Sequence, residues 1–242
     1  MSKRTSVAEA IENLVYANRV LAMEQVLDGF GHVSVRHPGN KDRYFMSRSI
    51  APALVTADDI IEHTMENEAA ASSDGGKKLY YERWIHGEVY KARPDVGAIV
   101  HSHSPTVVPF ASTRQPLRPL LHNASFLGFG TPVFEIRDHM RNSDLMISTA
   151  ELGRAMATKL GTKAEVVLLR GHGNVVVGPT LQIAVFRAYY TEINARQQLQ
   201  AITLDRHNVV YMDDGECATT EKIMQTSSGR PWDLWKSRVK LT

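Results

Sequence analysis

The sequence predicts an α/β protein, an α/β/α sandwich around a central, mostly antiparallel sheet. Three observations predict it. Short apolar runs with strand-like alternation recur along the chain, they are joined both by tight turns and by helical stretches, and they show no regular strand–helix–strand repeat of the kind that builds a parallel sheet. The 242 residues suffice for one substantial core and no linker-like stretch divides them, so residues 1–242 read as a single domain.

Composition narrows the function classes. A hydrophobic share of 43% and a charged share of 22% are those of a globular chain, which argues against disorder and against a membrane protein. Lys and Arg number 28 against 26 Asp and Glu, for a net charge of +2, and the basic residues are spread rather than clustered. That pattern offers no electrostatic footprint for nucleic acid. A single cysteine, Cys217, excludes an internal disulfide, and nothing beside it in sequence would activate it as a nucleophile. The first residues are interrupted by charges, without an apolar core segment or a small-residue cleavage site, so a cytoplasmic protein is expected. No apolar run approaches the roughly 18 residues a membrane span needs.

Val7, Ile11, Leu14, Val15, Val20, Leu21 and Val26 recur near the helical period and predict a long first helix stopped at Asp28-Gly29. Val33 and Val35 then alternate with Ser34 and Arg36 as on a half-buried strand, and a short strand follows around Tyr44 to Met46. Thr56 can cap a turn running into Asp58 and Asp59. Residues Asn67 to Lys78 lack large apolar side chains and read as an exposed loop. A helix over Tyr81 to Lys91, a turn at Arg93-Pro94-Asp95 and an apolar strand complete the first half.

That strand ends in His101-Ser102-His103. Residues two apart on a strand share a face, so both imidazoles can reach one ion while Ser102 turns away, although two unligated histidines at a strand end would carry the same letters. His172 is the best third ligand, because it interrupts two apolar runs between Gly171 and Gly173, where backbone can approach closely. Three imidazoles with an open position suit a catalytic ion, since structural sites usually recruit four protein ligands.

Beyond the histidines, Pro105 to Phe110 begins a short helix or turn, and Pro116 to Pro119 is a broken loop. His122 is either a loop histidine or, with Asn123 and Phe126, part of an aromatic pocket. Pro132 to Ile136 is a short strand, Ser148 or Thr149 caps a helix through Leu160, and Gly161 closes it. Glu165 to Leu169 and Asn174 to Val177 flank His172, Ile183 to Leu204 is a long helix, and Trp232 and Trp235 sit on a last short one. Those tryptophans suit either a subunit interface or a core anchor.

Glu82 lies nineteen residues before His101, with His86 one helical turn on as packing or a supporting contact. Glu-x-x-x-His on a helix, an Arg-Pro-Asp turn, a strand ending in His-x-His and a distant glycine-flanked histidine together resemble the class II aldolase/adducin family over nearly the whole chain. The resemblance implies the family's central sheet with helices on both faces, a homotetramer, His101, His103 and His172 as ligands of a divalent ion (zinc or manganese), and Glu82 as catalytic acid/base. Three phosphate-gripping elements of its sugar-phosphate aldolases are altered here. Gly31-His32-Val33-Ser34 lacks their asparagine, Ser47-Arg48-Ser49 replaces a Thr/Ser-Gly loop, and Tyr80-Tyr81 stands where they have serines.

The string from Asp28 to Pro38 looks like the family's decarboxylase branch, which acts on aromatic rings with a hydroxyl ortho to the departing carboxylate, such as hydroxypyridine dicarboxylates and dihydroxyphthalates. Both branches need an electron sink at an oxygen beside the reacting carbon, which a metal supplies. His32, Ser34, Ser47, Arg48 and the Tyr80-Tyr81 pair, with His122, are then expected to hold a flat small-molecule diacid, Arg48 gripping a second carboxylate with its planar fork. The alternative is a sugar-phosphate aldolase of the fuculose-phosphate type, or an epimerase. A non-enzymatic adducin-like module would have no reason to keep the three histidines and the glutamate together.

Overall fold

Alternation along the strands sorts the core into two apolar layers, one on each face of a seven-stranded sheet. A computed structural model describes residues 5–70 and 73–241; the single-domain expectation for residues 1–242 therefore includes seven residues outside the described ones. The strands are β1 (His32–Arg36), β2 (Arg43–Ser47), β3 (Ile60–Thr64), β4 (Ala98–Ser102), β5 (Val133–Phe134), β6 (Val166–Leu169) and β7 (Gly173–Gly178). Their order across the sheet is β3-β2-β1-β4-β7-β6-β5, and every neighbouring pair is antiparallel except β5 with β6. The sheet is thus mostly antiparallel, as expected.

Each buried strand residue leaves water for one of two helix layers, at about 1.5–3 kcal/mol for a large aliphatic side chain. Val33, Val100, Val166 and Val176 meet α1 (Val7–Met23), α5 (Leu181–Leu204) and α7 (Gly229–Arg238). Met46, Ile99, Val167 and Val177 meet α2 (Trp84–Ala92) and α4 (Ala150–Leu160) on the other face, and the one-turn α3 (Val108–Ala111) falls between these two helices in sequence. Trp232 and Trp235 of α7 belong to the first layer and are core anchors. No helix among the described residues is long and apolar enough to cross a membrane.

Several boundaries differ from the sequence reading. α1 ends at Met23 rather than at Asp28-Gly29, because Gln25 takes a left-handed backbone (φ 60°) and the N–H groups of Val26 and Leu27 turn back to the Leu21 carbonyl. The strand β3 has no counterpart in the sequence reading, since Glu62 and Thr64 dilute a five-residue edge. The helix α6 (Asp214–Ser227) was likewise not expected. A capping box between Asp213 and Glu216 starts it, but only Cys217 and Glu221 on it are buried, so it has no apolar stripe to read. The helix expected over Tyr81 to Lys91 begins at Trp84, which leaves Glu82 in the turn ahead of α2. Arg83 holds that turn by donating to the Asn67 and Tyr80 carbonyls.

On β3, His63 is fully buried against the Tyr44 ring (centroids 4.9 Å apart, planes at 12°), and neither ring nitrogen has a partner among the described residues. Burial, with the Arg83 charge nearby, pulls its pKa from 6.5 down to about 4. The unfolded chain therefore binds the extra proton between these values, so this contribution to stability is whole above pH 6.5 and is lost as pH falls to about 4. The loss is up to about 3 kcal/mol. Denaturant unfolding at pH 7 and pH 4.5 should show the fall, and His63→Leu should flatten it; an equally steep fall in the variant would refute the assignment.

Candidate active site

The candidate site forms where β4 ends and β7 begins. Ser102 pairs with Asn174, which places His103, just past β4, beside His172, just ahead of β7. His101 faces the α2 layer with Ile99, and β1 sets His32 directly opposite it. Gly171 supplies the left-handed turn before His172 (φ 68°), and a Cβ on Gly173 would lie 2.1 Å from the Ser102 carbonyl oxygen. Only glycine lets those two strands close.

The turn before α2 swings Glu82 over this end of the sheet. One oxygen of its buried carboxylate accepts the Ile147 N–H at 2.8 Å, and the other lies 3.5 Å from His172 Nε2 and 3.6 Å from His101 Nε2. Both are ion-pair distances rather than direct hydrogen bonds. Burial opposes ionisation of Glu82, while charge on the neighbouring His101 and His172 rings favours it and, where present, holds the carboxyl below the usual range. Burial also lowers the pKa of His101.

The histidine tautomers follow from their outer partners. His101 Nδ1 lies 3.2 Å from the Asn174 carbonyl oxygen and His103 Nδ1 lies 3.1 Å from an Asp28 carboxylate oxygen. Neither oxygen can donate, so each Nδ1 carries the proton and each Nε2 is a bare lone pair. Both Nε2 atoms are buried without a hydrogen-bond partner, as is His172 Nδ1. One ligand atom from each of Glu82, His101, His103 and His172 falls within 4.8 Å of the others, and the three rings stand 4.9–5.1 Å apart. Bare imidazole nitrogens oriented by a carboxylate and a carbonyl are what a divalent ion requires. These residues fit one.

A cavity of about 490 Å³ opens from the cluster. Phe30 and Tyr81 stand at its mouth, 74% and 59% exposed, and Tyr80, His32, Met146 and Ser49 line its wall. Tyr80 is held by donating its hydroxyl to the Ile50 carbonyl, and its ring lies 4.5 Å from that of His32. Of the expected substrate residues, His32, Tyr80 and Tyr81 thus reach the cavity. Ser34 and Ser47 are fully buried behind it, Ser34 on His86 and Tyr90 and Ser47 on the Tyr80 hydroxyl.

Two of the expected residues stand away from the cavity wall. Arg48, expected to grip a carboxylate, pairs instead with Asp59 (Nε–Oδ1 2.6 Å) and is not on the cavity wall, because the capping turn at Thr56 puts that carboxylate beside it. No lysine or arginine among the described residues lines the cavity. His122 is exposed at the start of a 3-10 turn and lines a different groove, against α6, while Phe126 beside it is buried in the core. The sequence reading gave no site role to Asp28, Phe30 or Met146, while Ser49 lay in the altered Ser47-Arg48-Ser49 element; of the three, only Asp28, a carboxylate beside a predicted helix stop, carried a signal.

The description "Class II Aldolase and Adducin N-terminal domain" matches residues 12–199, and the chain belongs to that family. A protein named "Decarboxylase tropJ" from Talaromyces stipitatus is 34% identical over 95% of this chain and 94% of its own length. A 3,4-dihydroxyphthalate decarboxylase from Arthrobacter keyseri is 32% identical over 80% of this chain and 79% of its own. Among solved structures, an L-fuculose 1-phosphate aldolase from Glaciozyma antarctica superposes with a TM-score of 0.79 over 98% of this chain and 92% of its own, at 23% identity, which establishes the class II aldolase fold. The family and the relatives so named support an enzyme of the lyase class.

Proposed function

We propose that this chain is a divalent-metal-dependent decarboxylase of an aromatic ortho-hydroxy carboxylate, of the dihydroxyphthalate or hydroxypyridine dicarboxylate kind. The observation that carries the reading is the cluster of Glu82, His101, His103 and His172, with bare and unpartnered imidazole nitrogens, opening into a cavity walled by aromatic side chains. Decarboxylases among the relatives support it. A single domain, a homotetramer and a cytoplasmic setting are part of the same reading.

His101, His103 and His172 would hold the ion, which supplies a Lewis acid at the oxygen next to the reacting carbon. Glu82, held ionised, takes the proton of the ortho hydroxyl and returns it to the ring carbon. The carbon–carboxylate bond then breaks and carbon dioxide leaves, with the electron pair drawn toward the ring oxygen. Tyr80 and Tyr81 hold the flat ring and, with Phe30 at the mouth, keep water from it.

The purified protein should carry one divalent ion per chain, zinc or manganese. His103→Ala should lose it, and elemental analysis showing equal content in both proteins would refute the ligand set. Glu82→Gln should still bind metal, yet turn over ~10²- to 10⁴-fold more slowly; a near-normal rate would remove Glu82 from the chemistry. The reaction itself is tested with a panel of a dihydroxyphthalate, a hydroxypyridine dicarboxylate, and fuculose and ribulose phosphates, with added zinc or manganese. Carbon dioxide release from an aromatic acid is expected, and cleavage of a sugar phosphate alone would assign the chain to the aldolases instead.

A further inference from the structure

A row of buried hydrogen bonds runs from the cavity wall into the core. His32 Nδ1 lies 2.7 Å from His86 Nε2, His86 Nδ1 lies 2.6 Å from Ser34 Oγ, and Ser34 Oγ lies 2.8 Å from the Tyr90 hydroxyl. None of the four residues is more than 2% exposed. The row is built by two periodicities meeting: His32 and Ser34 are two apart on β1, and His86 and Tyr90 are four apart on α2, so each pair shows one face to the other.

The 2.7 Å contact between the two imidazoles takes a single hydrogen, so one ring donates across it and the other accepts. The row then has an inward order, an outward order, and a mixed order in which His86 and Tyr90 both donate to Ser34 and strand the Ser34 hydrogen, which disfavours it as the inward order is disfavoured. In the inward order His32 Nδ1–H donates to His86, His86 donates to Ser34 and Ser34 donates to Tyr90. The phenol hydrogen is then stranded, because Ser34 is the only hydrogen-bond partner of that hydroxyl among the described residues. In the outward order Tyr90 donates to Ser34, Ser34 to His86 Nδ1, and His86 Nε2–H to His32 Nδ1, so every donor inside the row is used and the one left over, His32 Nε2–H, belongs to a ring that lines the cavity. A stranded buried donor disfavours the inward order by roughly tenfold or more.

We propose that this row fixes His32 as a hydrogen-bond donor, presenting Nε2–H to an anionic oxygen of the substrate, and that His86, Ser34 and Tyr90 are positioning residues. His32 Nε2 has no partner among the described residues, and the ring lines the cavity 4.9 Å from His101. A protonated Nε2 has no lone pair for an ion, which keeps His32 out of the ligand set despite that closeness. No lysine or arginine among the described residues lines the cavity, so this N–H does what a guanidinium would otherwise do. The identity of the oxygen as the second carboxylate of an aromatic diacid rests on the proposed decarboxylase reading; the proton order does not.

Neutron diffraction from zinc-loaded crystals grown in heavy water reads the order directly. Deuterium is expected on Nε2 of both His32 and His86, on Ser34 Oγ facing His86, and on the Tyr90 hydroxyl facing Ser34. Deuterium on His32 Nδ1 overturns the proposal. Calorimetric binding of phthalate, which lacks the reactive hydroxyl, tests the consequence. Ser34→Ala releases the tautomer and should weaken phthalate about tenfold with zinc content unchanged, while Ser34→Thr keeps the hydroxyl and should restore it. Undiminished affinity in Ser34→Ala also overturns the proposal. If phthalate fails to bind the unaltered protein, the substrate class falls, and the nuclear maps still decide the proton order.

Discussion

The pairing of Ser102 with Asn174 is the constraint on which the rest of the site depends. Strand side chains alternate between faces, so a slip of one residue would turn His101 into the α1 and α5 layer and pull His103 away from His172. Three features hold the register. Both strands are buried along their whole length, Ser102 donates its hydroxyl to the Asn174 side chain at 3.0 Å, and Gly173 lets the Ser102 carbonyl approach where any Cβ would stand. The same alternation that packs Val100 and Val176 into one layer therefore delivers the histidine to the other.

Gathering so many imidazoles out of water is costly unless each polar atom is matched. The chain meets most of that need with oxygens that cannot donate. Asn174 and Asp28 each take an Nδ1–H from a cluster histidine and thereby direct the lone pairs toward Glu82 and one another. The remaining bare nitrogens are concentrated at one point, where an ion would satisfy them together. His32, alongside, is matched differently. Its Nδ1 meets another imidazole rather than an oxygen, and that difference separates a hydrogen-bonding histidine from a set able to bind metal.

The sheet and the cluster were legible in the sequence for one reason: both depend on short-range periodicity. The run ending in His101-Ser102-His103 and the Gly171-His172-Gly173 interruption are strand signals with chemistry attached, and the long helix expected over Ile183 to Leu204 spans Leu181–Leu204. What was hidden depends on contacts distant in sequence. Arg48 looked free because Asp59 reaches it only through the turn that Thr56 caps, and β3 after that turn is too short and polar to announce itself. His122 sits among apolar letters, yet its neighbour Phe126 is spent on the core and α6 covers the groove beside it. The partnership of His86 with Ser34 spans 52 residues and could not be read from either.

Aromatic walls without a lysine or arginine among the described residues matter for decarboxylation chemistry. A carboxylate about to leave as carbon dioxide gives up its charge in the transition state, so a guanidinium fixed on it would hold the ground state more tightly than the transition state and slow the step. Stacking against Tyr80 and Tyr81 acts on the part of the ring whose shape is unchanged and carries no such penalty. On the decarboxylase reading, charge is concentrated at the Glu82 and histidine end, where electrons must be drawn off, and the rest of the pocket would recognise a flat anion through shape and hydrogen-bond donors.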